Sequence, residues 1–192
     1  RDVDPDSEFA DAVATATNYG YMSGYGNGTF RPNEPVTYIQ AAFALLKLAG
    51  YGDIAQMKGG YPTGYLSIAS ENKLLAGYDE DAELNCGEVS EMLYNYLKMN
   101  VMKASFSDKD DISQYRSEAT VLEALLNLHE GSGLVYANEY SSIKGRQKTK
   151  KGEAIVEYDN AEATVAVGNS KLDEYVGYNV KYYFDDDDNI IF

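Results

Sequence analysis

A pattern that occurs twice in the first half of the chain constrains its fold more than any other feature. Ala16-Thr17 corresponds to Ala69-Ser70, and Met22-Ser23-Gly24-Tyr25 corresponds to Leu75-Ala76-Gly77-Tyr78. After a shorter loop, Val36-Thr37 with Gln40 corresponds to Leu84-Asn85 with Glu88. A duplicated order of helix, Gly-Tyr turn and capped helix is the signature of a repeat architecture, in which each unit buries its apolar face against its neighbour.

Within the first unit, Asp4-Pro5 is a helix-start signal. Phe9, Ala10, Val13 and Ala16 recur at helical spacing, and Gly20 can close that helix. A glycine-rich loop from Gly24 to Asn33 follows. Thr37 with Gln40 forms a capping-box pattern ahead of Ala41, Ala42, Leu45, Leu46 and Leu48, and the helix stops near Gly50 and Gly52. In the second unit, Asn85 with Glu88 repeats the cap ahead of Val89, Met92, Leu93 and Leu97.

Ser105 to Asp111 is polar and reads as a linker, and the spacing of Val121, Leu122, Leu125 and Leu126 predicts a helix over about 113–128. Beyond Gly131 the period changes. Residues 134–136, 154–158, 163–167 and 180–184 are short β-branched or aromatic runs separated by Gly, Asn and Asp. Ser170 to Tyr175 reads as a helical turn, and Ile190-Ile191-Phe192 as a final strand.

Composition excludes several roles. A net charge of −15 repels a phosphate backbone and an anionic membrane surface, so nucleic acid is not an expected partner. No run of about 18 apolar residues is present to span a membrane. A single cysteine, Cys86, rules out an intramolecular disulfide, and with a single histidine, His129, there is no His/Cys zinc set. The chain opens at Arg1-Asp2-Val3 in mid-motif, with no signal peptide visible, and reads as processed or trimmed. The 18 tyrosines against no tryptophan suit half-wet surfaces that meet sugars or proteins, although core edges account for most of them.

The stretch from Asp2-Val3 through Gly24-Tyr25-Gly26-Asn27-Gly28-Thr29-Phe30-Arg31-Pro32-Asn33 to Pro35-Val36-Thr37 resembles the S-layer homology (SLH) repeat. Residues 60–77 look like a divergent second repeat of clostridial surface proteins, and 133–138 with 177–183 look like a β unit that follows such repeats. The resemblance implies paired helical prongs, usually in threes, that bind a pyruvylated secondary cell-wall polysaccharide and anchor exported proteins to Gram-positive-type walls. It also implies an arginine at the capped helix start that pairs with the anionic polymer, because guanidinium meets carboxylate in a bidentate fork. Here that position holds Tyr38 in the first repeat and Cys86 in the second. Tyr115-Arg116-Ser117-Glu118 reads as a remnant of a third motif.

Other constellations have plainer readings. Asp2, Asp4, Asp6 and Glu8 begin like a calcium loop, but Ser7 and Val13 stand where glycine and a bidentate glutamate are needed. Asp185 to Asp188 is expected to be a solvated turn. His129 is placed at a helix end, and the basic run Lys144, Arg146, Lys148, Lys150 and Lys151 is expected in a solvated loop. No phosphate loop, dinucleotide fingerprint or nucleophile–base pair stands out, so no catalytic residue, cofactor or metal is expected and the chain is not expected to be an enzyme.

The expected fold is α+β. Residues 1–104 form two helical repeats (about 1–52 and 57–104), 105–130 a linker and helix with a partial third repeat, and 131–192 a small antiparallel β domain. The expected role is extracellular attachment to the cell wall through a secondary cell-wall polysaccharide or peptidoglycan-associated polymer. The candidate contacts are Arg31, Tyr38, Arg116 and Glu118. The alternative is a structural or protein-binding module, partnered by other surface-protein domains, whose scaffold has lost its sugar site.

Overall fold

The computed structural model describes residues 2–107, 111–145, 148–158, 161–187 and 189–191. The chain forms two compact units, Arg1–Val121 and Leu122–Phe192. Helices lead and two antiparallel sheets follow, an α+β fold.

The helices of the first unit are α1 (Ala10–Asn18), α2 (Tyr38–Leu48), α3 (Gly52–Met57), α4 (Thr63–Glu71) and α5 (Cys86–Lys98). Residues before Ala10 form turns, so the helix starts later than Asp4-Pro5 predicts. The ends of α1 and α4 are built alike. Gly20 N–H bonds to Thr17 O at 3.1 Å and Tyr21 N–H to Ala16 O at 2.9 Å. Lys73 N–H bonds to Ser70 O at 3.1 Å and Leu74 N–H to Ala69 O at 3.0 Å. Both are Schellman closures around a left-handed residue, Gly20 at φ 71° and Lys73 at φ 54°.

The starts of α2 and α5 also match. Thr37 N–H donates to Gln40 Oε1 at 3.1 Å, and Asn85 N–H donates to Glu88 Oε2 at 2.8 Å. Asn85 Oδ1 accepts from Gly87 N–H and Glu88 N–H, satisfying helix-start donors that have no partner inside the helix. At α2 the remaining donors are taken by the second repeat. Tyr38 N–H bonds to Ala82 O at 2.9 Å and Ile39 N–H to Glu80 O at 3.1 Å, while Leu84 N–H returns to Val36 O at 2.9 Å. The repeats are thus clasped backbone to backbone. Beneath the clasp α2 packs on α4, with Ala42, Leu46, Tyr65, Ile68 and Ala69 almost wholly buried.

The predicted linker and helix over 105–128 is corrected. Residues Asn100–Ser107 (β1) and Asp111–Thr120 (β2) form an antiparallel hairpin, and only Val121–Leu126 (α6) is helical. The apolar stripe behind the helix prediction lies wholly within α6. The stretch before it gains its ladder from β1, the strand that precedes it in the hairpin, and that pairing overrides local propensity. Met102 N–H bonds to Ala49 O at 2.8 Å and the Tyr51 hydroxyl to Asn100 O at 2.8 Å, so the hairpin base is fixed to the end of the first repeat.

In the second unit, Leu128–Ala137 (β3), Glu153–Tyr158 (β4), Ala161–Ala166 (β5) and Asn179–Asp185 (β6) form an antiparallel sheet in the order β5-β4-β3-β6. The expected helical turn is a 3-10 helix at Leu172–Tyr175. Period-2 alternation sends Ala154 and Val156 into a cluster with Val135, Val167, Leu172, Tyr182 and Ile190, while Ile155 joins Tyr136 and Ala137 in another. The terminal strand reduces to a bridge between Ile190 and Phe184, and Phe192 lies outside the described residues.

The joint between α3 and α4 depends on one missing methyl group. A Cβ on Gly64 would lie 2.0 Å from the carbonyl oxygen of Ala55. Gly64→Ala must therefore push the two helices apart, at a cost of about 3 kcal/mol. A fall in the urea midpoint checks this, and an unchanged midpoint would show that the joint is looser than described.

Candidate functional site

The loop between α1 and α2 is held by the first carboxylate of the chain. Asp2 Oδ1 accepts from Phe30 N–H and Oδ2 from Arg31 N–H, both at 2.7 Å. These bonds, the one from Phe30 foremost, hold the Asp2 carboxyl below its ordinary pKa of 3.8. Asn27 Oδ1 draws in the N–H and hydroxyl of Thr29 at 3.1 and 2.6 Å, and a bridge joins Tyr25 to Thr29. Arg31 is left-handed at φ 60°, a conformation that a non-glycine residue holds only when its surroundings fix it.

So fixed, the loop forms one wall of a groove of about 590 Å³, and α2 and Tyr61 form the rest. Tyr21, Met22, Tyr25, Phe30, Pro32, Pro35, Val36, Phe43 and Tyr61 supply apolar and aromatic surface, with Arg31, Glu34 and Gln40 as polar points. A mostly apolar cleft with a few polar groups is the usual form of a small-ligand site. The Arg31 guanidinium lies 4.0 Å from the Tyr25 ring centroid and 3.3 Å from both carboxylate oxygens of Glu34. Stacking on Tyr25 and the two contacts from Nη1 orient the guanidinium while leaving it partly exposed. Phe43 meets Tyr61 edge-on at 5.6 Å, and Tyr61 remains 55% exposed. Aromatic faces and a cation with a replaceable carboxylate suit a saccharide bearing an acidic substituent.

Of the four residues singled out from sequence, only Arg31 lines this groove. Tyr38 is 5% exposed, with its hydroxyl 3.4 Å from Leu75 O and its ring beside Tyr78, so it cannot serve as an exposed contact. Burial raises its pKa. Arg116 and Glu118 lie on β2 rather than at a helix start. The Arg116 Nη2 is 3.3 Å from Asn72 Oδ1, and the Glu118 carbonyl accepts from Asn100 Nδ2. Sequence reasoning missed Phe43 and Tyr61. The signal available was the Gly-Gly-Tyr-Pro turn that carries Tyr61, but only packing brings Tyr61 and Phe43 of α2 beside the first loop.

The remaining candidates have local roles. Asp4 Oδ1 accepts from Asp6 N–H, and Asp185 Oδ1 accepts from Asp187 N–H and Asn189 N–H, while Asp188 lies outside the described residues. His129 is on β3, not at a helix end, with Nε2 2.8 Å from Asp186 Oδ1. Lys144 of the basic run is latched to Glu157 at 2.7 Å and Glu162 at 3.3 Å, and Arg146 lies outside the described residues. Lys144 also sits 4.6 Å from the Tyr136 ring, whose hydroxyl donates to Glu162. Burial, reinforced by that carboxylate, pushes the Tyr136 pKa up to about 12. Cys86 is an exposed free thiol at the first residue of α5.

Residues 1–42, which carry most of the groove, match the S-layer homology domain. The first repeat is thus similar to an SLH domain. A curated relative described as "Cell surface protein", from Thermoanaerobacter kivui, is 24% identical over 173 residues, which is 89% of this chain and 21% of the relative. The chain thus spans about a fifth of that relative's length. No solved structure matches the chain. Across the SLH match the arginine expected at the helix start is Tyr38, and the groove's cation comes instead from Arg31 in the loop.

Two expectations follow. Tyr38→Arg, which restores the residue that the family places there, puts a charge without a partner into the clasp and destabilises the chain by on the order of 3 kcal/mol. A urea titration that finds no loss would show the position to be open. Asp2→Ala lowers the hydrogen-exchange protection of the Phe30 and Arg31 amides. Because the folded pKa of Asp2 is depressed, its contribution is complete above the unfolded value near 3.8 and is lost as pH falls through the folded value. Protection at these two amides in the native chain should therefore fall only in acid, and protection independent of both the mutation and acid would remove Asp2 from this role.

Proposed function

We propose that the chain is a cell-surface module that attaches an exported protein to the bacterial cell wall. Attachment is non-covalent, through an anionic secondary cell-wall polysaccharide held in the groove of the SLH domain. The observation that carries this reading is the Arg31 guanidinium, stacked on Tyr25 at the edge of an aromatic cleft. A sugar ring lies against Tyr25 and Tyr61, and an acidic substituent takes the place of Glu34 at the Arg31 guanidinium. The SLH match over residues 1–42 and the description of the relative from Thermoanaerobacter kivui as a cell surface protein support an extracellular, wall-associated place for it. In this reading the chain binds and does no chemistry.

One observation favours a second reading. Tyr38, at the position of the family's ligand arginine, is buried in the clasp between repeats. A scaffold that has turned its sugar-contact position into core can serve as a structural or protein-binding module instead.

Pull-down with purified sacculi, with and without the secondary polymer, separates the two. The native chain should sediment only with polymer-bearing sacculi. Arg31→Ala and Tyr61→Ala should each weaken binding about tenfold or more, the loss expected when a charged or aromatic anchor worth at least about 1.4 kcal/mol is removed. Arg116→Ala, outside the groove, should bind like the native chain. Polymer-independent sedimentation, or none, leaves the scaffold reading.

A further inference from the structure

The second unit carries two sheet edges that are finished differently. On β6 the returning chain covers the C-terminal end of the edge: Ile190 bridges to Phe184, and Ile191 N–H bonds to Tyr183 O at 2.8 Å. On β5 the described residues supply no such cover. Natural edges are usually blunted by lysine, proline, a bulge or an inward charge. The Ala161–Ala166 strand contains neither lysine nor proline, and its register with β4 runs without a shift from Glu153↔Ala166 to Tyr158↔Ala161. Its one charge, Glu162, is drawn to Tyr136 and Lys144.

The ladder determines which backbone groups face outward. Val167 N–H bonds to Gly152 O at 2.9 Å, which marks that opposed pair as hydrogen-bonded. Hydrogen-bonded and non-bonded pairs alternate along an antiparallel ladder. Val165 with Ala154 and Ala163 with Val156 are therefore bonded pairs, and the N–H and C=O groups of Glu162, Thr164 and Ala166 point away from β4. These three residues are exposed, whereas Ala163 and Val165 are half-buried.

We propose that two copies of this chain associate through β5, antiparallel and centred on Thr164, to give a continuous sheet across both C-terminal units. The sequence of the edge is self-complementary in that register. Thr164 faces its counterpart, a favourable cross-strand pair, and Glu162 faces Ala166 of the second copy, so no like charges are opposed. On the other face Ala163 meets Val165 of the second copy. Val165 packs against the apolar cluster of its own unit, so that apolar layer runs across the junction. The outward N–H and C=O of Glu162, Thr164 and Ala166 are then paired.

A six-residue edge buries little surface, and two chains of net charge −15 repel, so association is weak and strengthens as salt screens the repulsion. A wall-bound protein, held at high local concentration, suits such a contact.

Sedimentation velocity of the whole chain, from micromolar to millimolar concentration at low and high salt, tests the proposal. The native chain should shift toward twice its 21.2 kDa mass as concentration rises, and at lower concentration in high salt. Thr164→Pro removes an outward N–H without touching the ladder to β4. Thr164→Lys sets two cations face to face while reducing the net charge of each chain. Both variants should remain monomeric throughout with an unchanged far-ultraviolet circular dichroism spectrum. A native chain that is monomeric under all these conditions overturns the proposal, as does dimerisation of the correctly folded lysine variant at native concentrations.

Discussion

The hydrogen bonds from Tyr38 and Ile39 to Ala82 and Glu80 determine much else in the first unit. A helix start carries backbone donors that its own turns cannot satisfy, and it commonly uses them on a capping side chain, water or a bound anion. Here the second repeat takes them. The repeats are therefore not independent beads, because the start of α2 is finished by the loop of its neighbour. The same contact buries Tyr38 against Tyr78 and closes the position where an SLH arginine would face solvent. Structural closure and loss of that contact are consequences of one arrangement.

With that position closed, the available cation lies on the preceding loop, and its placement depends on Asp2. Two short bonds from one carboxylate fix consecutive amides, Phe30 and Arg31, and Arg31 is held left-handed as a result. The side chain then folds over Tyr25 toward Glu34. The Asp-Val opening of the repeat thus has a physical task at the groove, far along the chain from where it is read. The acidic start that looks like part of a calcium loop is a peg for the backbone.

The features legible in the sequence were those whose cause is local. Thr37 with Gln40 and Asn85 with Glu88 are caps within one turn, and both form as read. Gly20 closes its helix as read, and Lys73 occupies the matching left-handed position in the second repeat without a glycine to announce it. The β-branched runs after Gly131 became strands because their alternation matches a half-buried sheet. What failed depended on pairing or packing with another element. The stretch before Val121 has no stripe of its own and becomes a strand by pairing with β1, which also moves Arg116 and Glu118 from a supposed helix start to a hairpin. The groove was half legible for the same reason: Arg31 and Tyr25 share a loop, while Phe43 and Tyr61 join them only through packing.

Electrostatics limits how such a groove can work in a chain this acidic. Arg31 already holds Glu34, and other cations are engaged in the same way, Lys58 with Glu71, Lys144 with Glu157 and Lys181 with Glu130. An anionic ligand at Arg31 exchanges one carboxylate for another, so the charge adds little net affinity and acts chiefly to choose the ligand and orient it. The affinity must then come from area: the faces of Tyr25 and Tyr61 and the apolar wall from Pro32 to Val36. Such a site favours a polymer whose repeating sugars can be held loosely at many copies over one that must be held tightly at a single point. That suits the proposed attachment to a wall, where many copies meet one repeating polymer.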